Sequence, residues 1–159
     1  MPSFGLKPCD ESFFDAAPSR YVDAFEIPLP AAEVWGALTV EGSLDWCRML
    51  GGAKWTSPRP FDVGTTRKMA AAFGALQISE YFFRWEDGRR YSFHAVSMNL
   101  PLFHRFAEDY LVEPTSPTTC RFTWTIAAEP TALGRPGAPI NALLTRSFFR
   151  DTRRHFNAA

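Results

Sequence analysis

Hydrophobic and polar positions change period several times along the chain, and each change marks an element. Residues 20–27 (RYVDAFEI) set Tyr21, Asp23, Phe25 and Ile27 against Val22, Ala24 and Glu26, a short strand of imperfect period two. Pro28 and Pro30 end it. From Ala31 the spacing turns helical: Val34, Trp35 and Leu38 share a side, Pro30 stands near the first turn, and Glu33 lies where the helix dipole favours an acid. This predicts a helix over residues 31–39. Gly42 breaks it, and residues 43–49 (SLDWCRM) read as a second brief helix with Ser43 as its N-cap.

Strand patterns follow. The Gly51-Gly52 turn leads into residues 53–57, and Pro58, Pro60 and Gly64 punctuate a loop before residues 65–73. Gly74 separates that run from residues 76–85 (LQISEYFFRW), rich in β-branched and aromatic residues. Glu86-Asp87-Gly88 signals a hairpin, after which Tyr91, Phe93, Ala95 and Ser97 share one parity and His94 faces the other way, outward. Residues 103–112 and 120–128 make a further pair across EPTSPTT, residues 113–119, a sequence suited to a loop. In the last strand Phe122, Trp124 and Ile126 alternate cleanly with Arg121, Thr123 and Thr125. Beyond GRPGAP, residues 140–156 place Ile140, Leu143, Leu144, Ser147, Phe148 and Phe156 on a helical stripe opposite Arg146, Arg150, Arg153 and Arg154. The order is one strand, two short helices, about six strands joined mostly by hairpins, and one long helix. That is an α+β pattern, an antiparallel sheet with one helix across it.

Composition narrows the picture. At 159 residues and 46% hydrophobic, the chain is long enough for one domain with a real core. Residues 1–19 carry Pro, Ser and Gly without a period and read as an irregular N-terminal arm, laid on the domain through Phe13 and Phe14, which leaves residues 20–159 as the domain. The 17 basic and 17 acidic side chains cancel, so no global field holds a polyanion and no nucleic-acid partner is expected. No apolar run reaches the roughly 18 residues needed to span a bilayer. The start lacks a basic segment followed by an apolar stretch, so a soluble cytoplasmic protein with no integral membrane association is expected, as monomer or homodimer. Cys9, Cys47 and Cys120 show no metal or redox spacing and fit a reducing compartment. The unusual feature is 15 Phe in a chain that is 15% aromatic, which calls for a thick core or a cavity to line.

Several segments in this order resemble the START-like, helix-grip superfamily called SRPBCC, and within it the bacterial polyketide cyclase/dehydrase-like proteins. IPLPAAEVWGAL, residues 27–38, resembles that family's first-strand exit and helix, with a Pro, an acid and a Val-Trp pair. Asp45-Trp46 is similar to the pair usual in its second short helix. Val63-Gly64-Thr65-Thr66-Arg67 resembles the glycine turn into its third strand, and WEDGRRY, residues 85–91, its acidic turn with paired arginines, without the usual prolines. Residues 120–124 (CRFTW) resemble the penultimate strand. Spread over residues 21–156, the resemblance implies a helix-grip (START/Bet v 1-like) fold: a curved antiparallel sheet of about seven strands wrapped around a long C-terminal helix. It also implies a deep apolar cavity between sheet and helix.

No GxGxxG, Walker, HExxH, GxSxG or calcium-loop signature occurs, so no cofactor is expected, and the scattered His94, His104 and His155 imply no metal. Strict alternation over residues 103–112 puts His104, Phe106, Glu108, Tyr110 and Val112 on one face, the inward parity that the resemblance implies. His104 and Glu108 would then stand about 13 Å apart and address two ends of one ligand. In a polyketide cyclase-like reaction His104 and Glu108 would accept and donate protons in enolisation and ring closure, with Tyr110 donating to a carbonyl. The plainer alternative pairs both with arginines of neighbouring strands or leaves them at the cavity rim. Tyr81, Tyr91, Phe93, Phe106, Phe122, Trp124 and Phe148 are the candidate ligand-binding residues, weighed against simple core packing. Trp35 and Trp46 are expected to seal one end of the core, and the arginine row of the last helix to face solvent.

The expected function is binding of a small hydrophobic or aromatic ligand of polyketide, fatty acid or isoprenoid type, with or without cofactor-free cyclisation or dehydration. The rivals are a non-catalytic carrier and a protein-interaction module. An enzyme requires a buried ionisable group facing the cavity with a displaced pKa. A carrier requires an almost wholly apolar cavity, and an interaction module a collapsed one beside an exposed apolar patch.

Overall fold

A computed structural model describes residues 2–158. The alternating segments become β2 (Ser19–Ile27), β3 (Leu50–Trp55), β4 (Thr66–Ala71), β5 (Leu76–Glu86), β6 (Arg90–Met98), β7 (Phe103–Ser116) and β8 (Thr119–Pro130). A two-residue strand, β1 (Phe4–Gly5), and one helical turn, α1 (Phe13–Ala16), precede them. α2 (Ala31–Thr39) follows β2, and α3 (Ala138–His155) closes the chain. The strands lie in the order β2-β8-β7-β6-β5-β4-β3, antiparallel throughout, with β1 paired to β6. The sheet curls into a half-barrel whose concave side takes α3, a helix-grip fold. No helix among the described residues is long and apolar enough to cross a membrane.

Several segments depart from the sequence reading. Residues 43–49 are a string of tight turns instead of a second helix: Asp45 N donates to Gly42 O and Cys47 N to Leu44 O, three residues back, and Leu44 has φ +70°. A left-handed residue stops helix propagation at once. Ser43 is buried, and among the described residues its hydroxyl has no hydrogen-bond partner, so it is no N-cap. The turns instead dock on the end of α3, where Trp46 Nε1 donates to Thr152 Oγ1 at 3.0 Å, Arg48 N to Asp151 Oδ2 at 3.0 Å, and the Trp46 ring stacks on His155 at 4.2 Å. Trp35 packs elsewhere, against Trp85 and Tyr91. EPTSPTT is no loop either. β7 runs through Ser116 and β8 starts at Thr119, and a bulge between Pro114 and Ser116 accommodates the proline that cannot donate to the ladder.

The last helix turns a different face inward than its apolar residues alone suggest. Ile140 and Leu143 are 61% and 64% exposed, whereas Asn141, Leu144, Thr145, Phe148 and Thr152 point at the sheet, a spacing of three and four residues. Arg146, Arg150 and Arg154 face solvent. Arg153 does not: it grips Asp23 of β2 through two hydrogen bonds and covers the Phe25 ring.

The N-terminal arm is ordered on the convex face of the sheet. Leu6 N donates to Val96 O and Lys7 N to His104 O, so the arm runs between β6 and β7 where those strands diverge. Phe13 and Phe14 are buried with Cys9 over Ala107 and Ala127. His94 points to this convex side, as its parity predicts, yet it is buried there between Tyr81 and Phe83.

Candidate functional site: the cavity under α3

One half of the space between sheet and helix is filled with rings, and beside it lies a cavity of about 90 Å³. Trp35, Trp55, Phe82, Trp85, Tyr91, Phe93, Tyr110, Phe122 and Trp124 contact one another in a continuous series with centroids 4.8–6.2 Å apart. That series takes up four of the five Trp and three of the 15 Phe. The adjoining cavity has a largely aliphatic wall: Leu44 and Leu50, Met69 and Ala71 of β4, Leu76 and Ile78 of β5, Met98, Ile126 and Ala128 of β8, and Leu144 of α3. Phe103, Phe106, Tyr110 and Phe148 are its rings apart from Tyr21 near the mouth, and the lining reaches solvent at Ser19, Pro130 and Ala138.

The expected ligand-binding residues therefore divide. Phe106 and Phe148 line the cavity. Tyr91, Phe93, Phe122 and Trp124 are buried in the ring-filled half and form core, the plainer of the two readings. Tyr81 is 36% exposed on the convex side, because β5 turns Leu76, Ile78, Glu80 and Phe82 inward and Tyr81 falls on the other parity.

Of the expected catalytic group, Glu108 and Tyr110 meet at the inner end of the cavity and His104 does not. A bulge between Phe103 and Arg105 lets Phe103 face the cavity and turns His104 out to solvent, while the alternation from Phe106 onward holds. Glu108 is buried, and its Oε2 accepts from Tyr110 Oη at 2.9 Å and from Trp124 Nε1 at 2.9 Å. Among the described residues its Oε1 takes no hydrogen bond. Burial, reinforced by the charge of Glu80, pushes the Glu108 carboxyl up to about 7 against the pull of the two donors and Arg67. Burial likewise raises Tyr110 well above its ordinary value. A carboxyl that half-ionises near neutrality in a dry pocket suits proton acceptance and return.

A second pair escaped the sequence reading. Arg67 of β4 and Glu80 of β5 are direct register partners whose side chains both point inward, and Arg67 Nε donates to Glu80 Oε2. Both line the cavity with side chains 0% and 3% exposed. Burial disfavours the arginine charge, and the Glu80 carboxylate opposes that effect, so that Arg67 stays above its ordinary value. Burial raises Glu80, and Arg67 pulls it back. A signal existed: counted outward from the Phe73-Gly74 bond, Arg67 and Glu80 fall opposite each other on the parity of Met69, Ala71, Leu76 and Ile78. Opposite charges facing each other on an otherwise apolar face mark a buried pair.

The family model for polyketide cyclase / dehydrase and lipid transport proteins matches residues 20–158. The chain belongs to that family. An uncharacterized protein of Mycobacterium tuberculosis is 30% identical over 161 residues, with 96% of this chain and 95% of that protein covered. Among solved structures, a START superfamily protein from Mycobacterium smegmatis superposes with a TM-score of 0.70 at 6% identity, over 87% of this chain and 97% of that one. Ginseng major latex-like protein 151 from Panax ginseng gives 0.64 at 14% identity, over the same 87% and 97%. At such identities these two likenesses concern the fold alone, and the family membership rests on the sequence match.

Proposed function

We propose that the cavity binds a small hydrophobic molecule of polyketide, fatty acid or isoprenoid type, and that Glu108 and Tyr110 act on it by cofactor-free proton transfer. The observation that carries this reading is Glu108, a buried carboxyl at the inner end of an apolar pocket with its ionisation moved to about 7. Its Oε1 takes a proton from carbon beside a ligand carbonyl and returns it to the oxygen that leaves or forms a hydroxyl, as enolisation, aldol closure and dehydration each require. The membership in a polyketide cyclase / dehydrase and lipid transport family supports the ligand class. The aliphatic wall favours one rival, a carrier that holds the same ligand unchanged.

Native mass spectrometry of the protein purified from its own host, followed by extraction of any retained molecule, tests the binding. A retained apolar compound is expected. Glu108→Gln then separates the two roles, since an enzyme loses turnover of that compound and a carrier keeps binding it with nothing to lose. An apo mass combined with no uptake of the neutral dye Nile red would overturn the cavity reading.

A further inference from the structure

The inner end of the cavity holds more hydrogen-bonding capacity than the protein uses. Arg67 gives Nε to Glu80, but its Nη1 and Nη2 are buried without a hydrogen-bond partner among the described residues. The faces of Phe93, Trp55 and Phe82 surround the guanidinium at 4.7, 5.0 and 5.1 Å, which supports its charge, and the Tyr91 ring lies at 6.0 Å with its hydroxyl donating to Leu38 O. Two terminal guanidinium nitrogens form a fork whose natural complement is a planar pair of oxygens. Glu108, in the same lining, keeps Oε1 free of hydrogen bonds among the described residues. The rest of the lining is mostly aliphatic. A flat two-oxygen head on an apolar tail complements both ends.

Charge decides the form of that head. Arg67 and Glu80 cancel, so a carboxylate entering beside them faces Glu108 as its remaining negative neighbour. The conflict is removed when Glu108 takes up a proton and donates Oε1–H to the ligand, two carboxyls then sharing one proton next to a guanidinium. The other titratable groups facing Glu108 are Arg67 from β4, Glu80 from β5, Tyr91 from β6, Tyr110 from its own strand and Cys47 from the turns after α2. Both tyrosines are held neutral by burial, and burial pushes Cys47 up to about 12. The β8 neighbour is the Trp124 indole, and α3 presents Asn141, Leu144, Thr145 and Phe148, none of which titrates.

We propose that the cavity selects apolar carboxylic acids, with the ligand carboxylate seated between the free nitrogens of Arg67 and the Oε1 of a protonated Glu108. This rests on the cavity being a hydrophobic-ligand site, assigns the head group, and deepens the carrier reading, because a Glu108 protonated onto the head group is not available as a base. Binding then takes up about one proton when Glu108 starts ionised, and affinity for the acid falls about tenfold per pH unit above its ionisation.

Isothermal titration of the full chain with decanoate and with decanol, in two buffers of different ionisation enthalpy, tests this. At about pH 6, decanoate is expected to bind at least about tenfold more tightly than decanol. At about pH 8 its heat is expected to reveal uptake of close to one proton, absent in Glu108→Gln. Arg67→Met combined with Glu80→Met removes the guanidinium together with its partner carboxyl and is expected to lose the preference for the acid over the alcohol. Equal binding of acid and alcohol without proton uptake overturns the proposal and leaves the cavity reading standing. Failure of both probes and of Nile red overturns the two together.

Discussion

The Trp124 indole and the Glu108 carboxylate are joined by a 2.9 Å hydrogen bond to Oε2, the oxygen that also receives the Tyr110 hydroxyl. Both donors favour the ionised carboxyl and so oppose the burial and the Glu80 charge that raise it. Trp124→Phe removes one donor and retains most of the ring contact. The ionisation of Glu108 is then expected to move upward from about 7, read by NMR of the side-chain carboxyl carbons across a pH series. The lost bond to a buried group is expected to cost about 1–3 kcal/mol in denaturant unfolding. An unchanged titration would show that the indole does not hold the charged form.

Stability should carry the same signature. Glu108 ionises near 7 in the fold against an ordinary value of 4.5, so between those limits the folded chain binds more protons than the unfolded one. The favourable contribution of the neutral carboxyl is complete below about 4.5 and disappears as the pH rises through about 7. Glu108→Gln cannot ionise. Its unfolding free energy relative to the parent is expected to improve by a few kcal/mol in order of magnitude between about pH 5 and pH 8. Urea titrations at stepped pH check this, and parallel pH profiles for the two proteins would place the titration elsewhere.

The segments that could be read in the sequence are those where one force dominates. Period-two alternation located β2, β6 and β8, β-branched and aromatic enrichment located β5, and residues 31–39 carry their own start and stop signals. Glu108 and Tyr110 emerged because the alternation of β7 is unbroken from Phe106 on, and His104 failed because a single bulge at Phe103 has no side-chain signature. The aromatic residues misled for another reason. Inward parity cannot tell whether a ring meets another ring or empty space, and that depends on where α3 sits across the sheet. Residues 43–49 have helical composition but owe their turns to distant partners, Thr152 and Asp151.

Removing one member of the Arg67–Glu80 pair should differ sharply from removing both. Arg67→Met leaves Glu80 buried among apolar residues without its hydrogen-bond donor, an arrangement that typically costs about 3–5 kcal/mol. Arg67→Met with Glu80→Met replaces the pair by side chains of similar reach and is expected to lie within about 2 kcal/mol of the parent. Thermal unfolding of the two single variants and the double gives the coupling. Additive losses would mean that the two charges do not depend on each other.

The N-terminal arm offers a test of local against global stability. Its hold on the convex face combines Phe13, 2% exposed beneath the Arg105 guanidinium, with Phe14 stacked on Phe83 and an Arg84–Glu11 ion pair at the rim. The ion pair involves an exposed glutamate and contributes little, so the two rings carry the attachment. Phe13→Ala removes a buried ring, a change that costs about 3–5 kcal/mol when the surrounding structure must stay closed. Here the arm can lift, because α1 is one turn long and β1 only two residues. Hydrogen exchange is therefore expected to accelerate at Leu6 and Lys7, whose amides bond to Val96 and His104, while Phe122 and Trp124 in β8 stay protected. Exposure of Ala107 and Ala127 should follow, giving new binding of a hydrophobic dye on the convex side. Uniform loss of protection through β8 would instead make the arm part of the cooperative core.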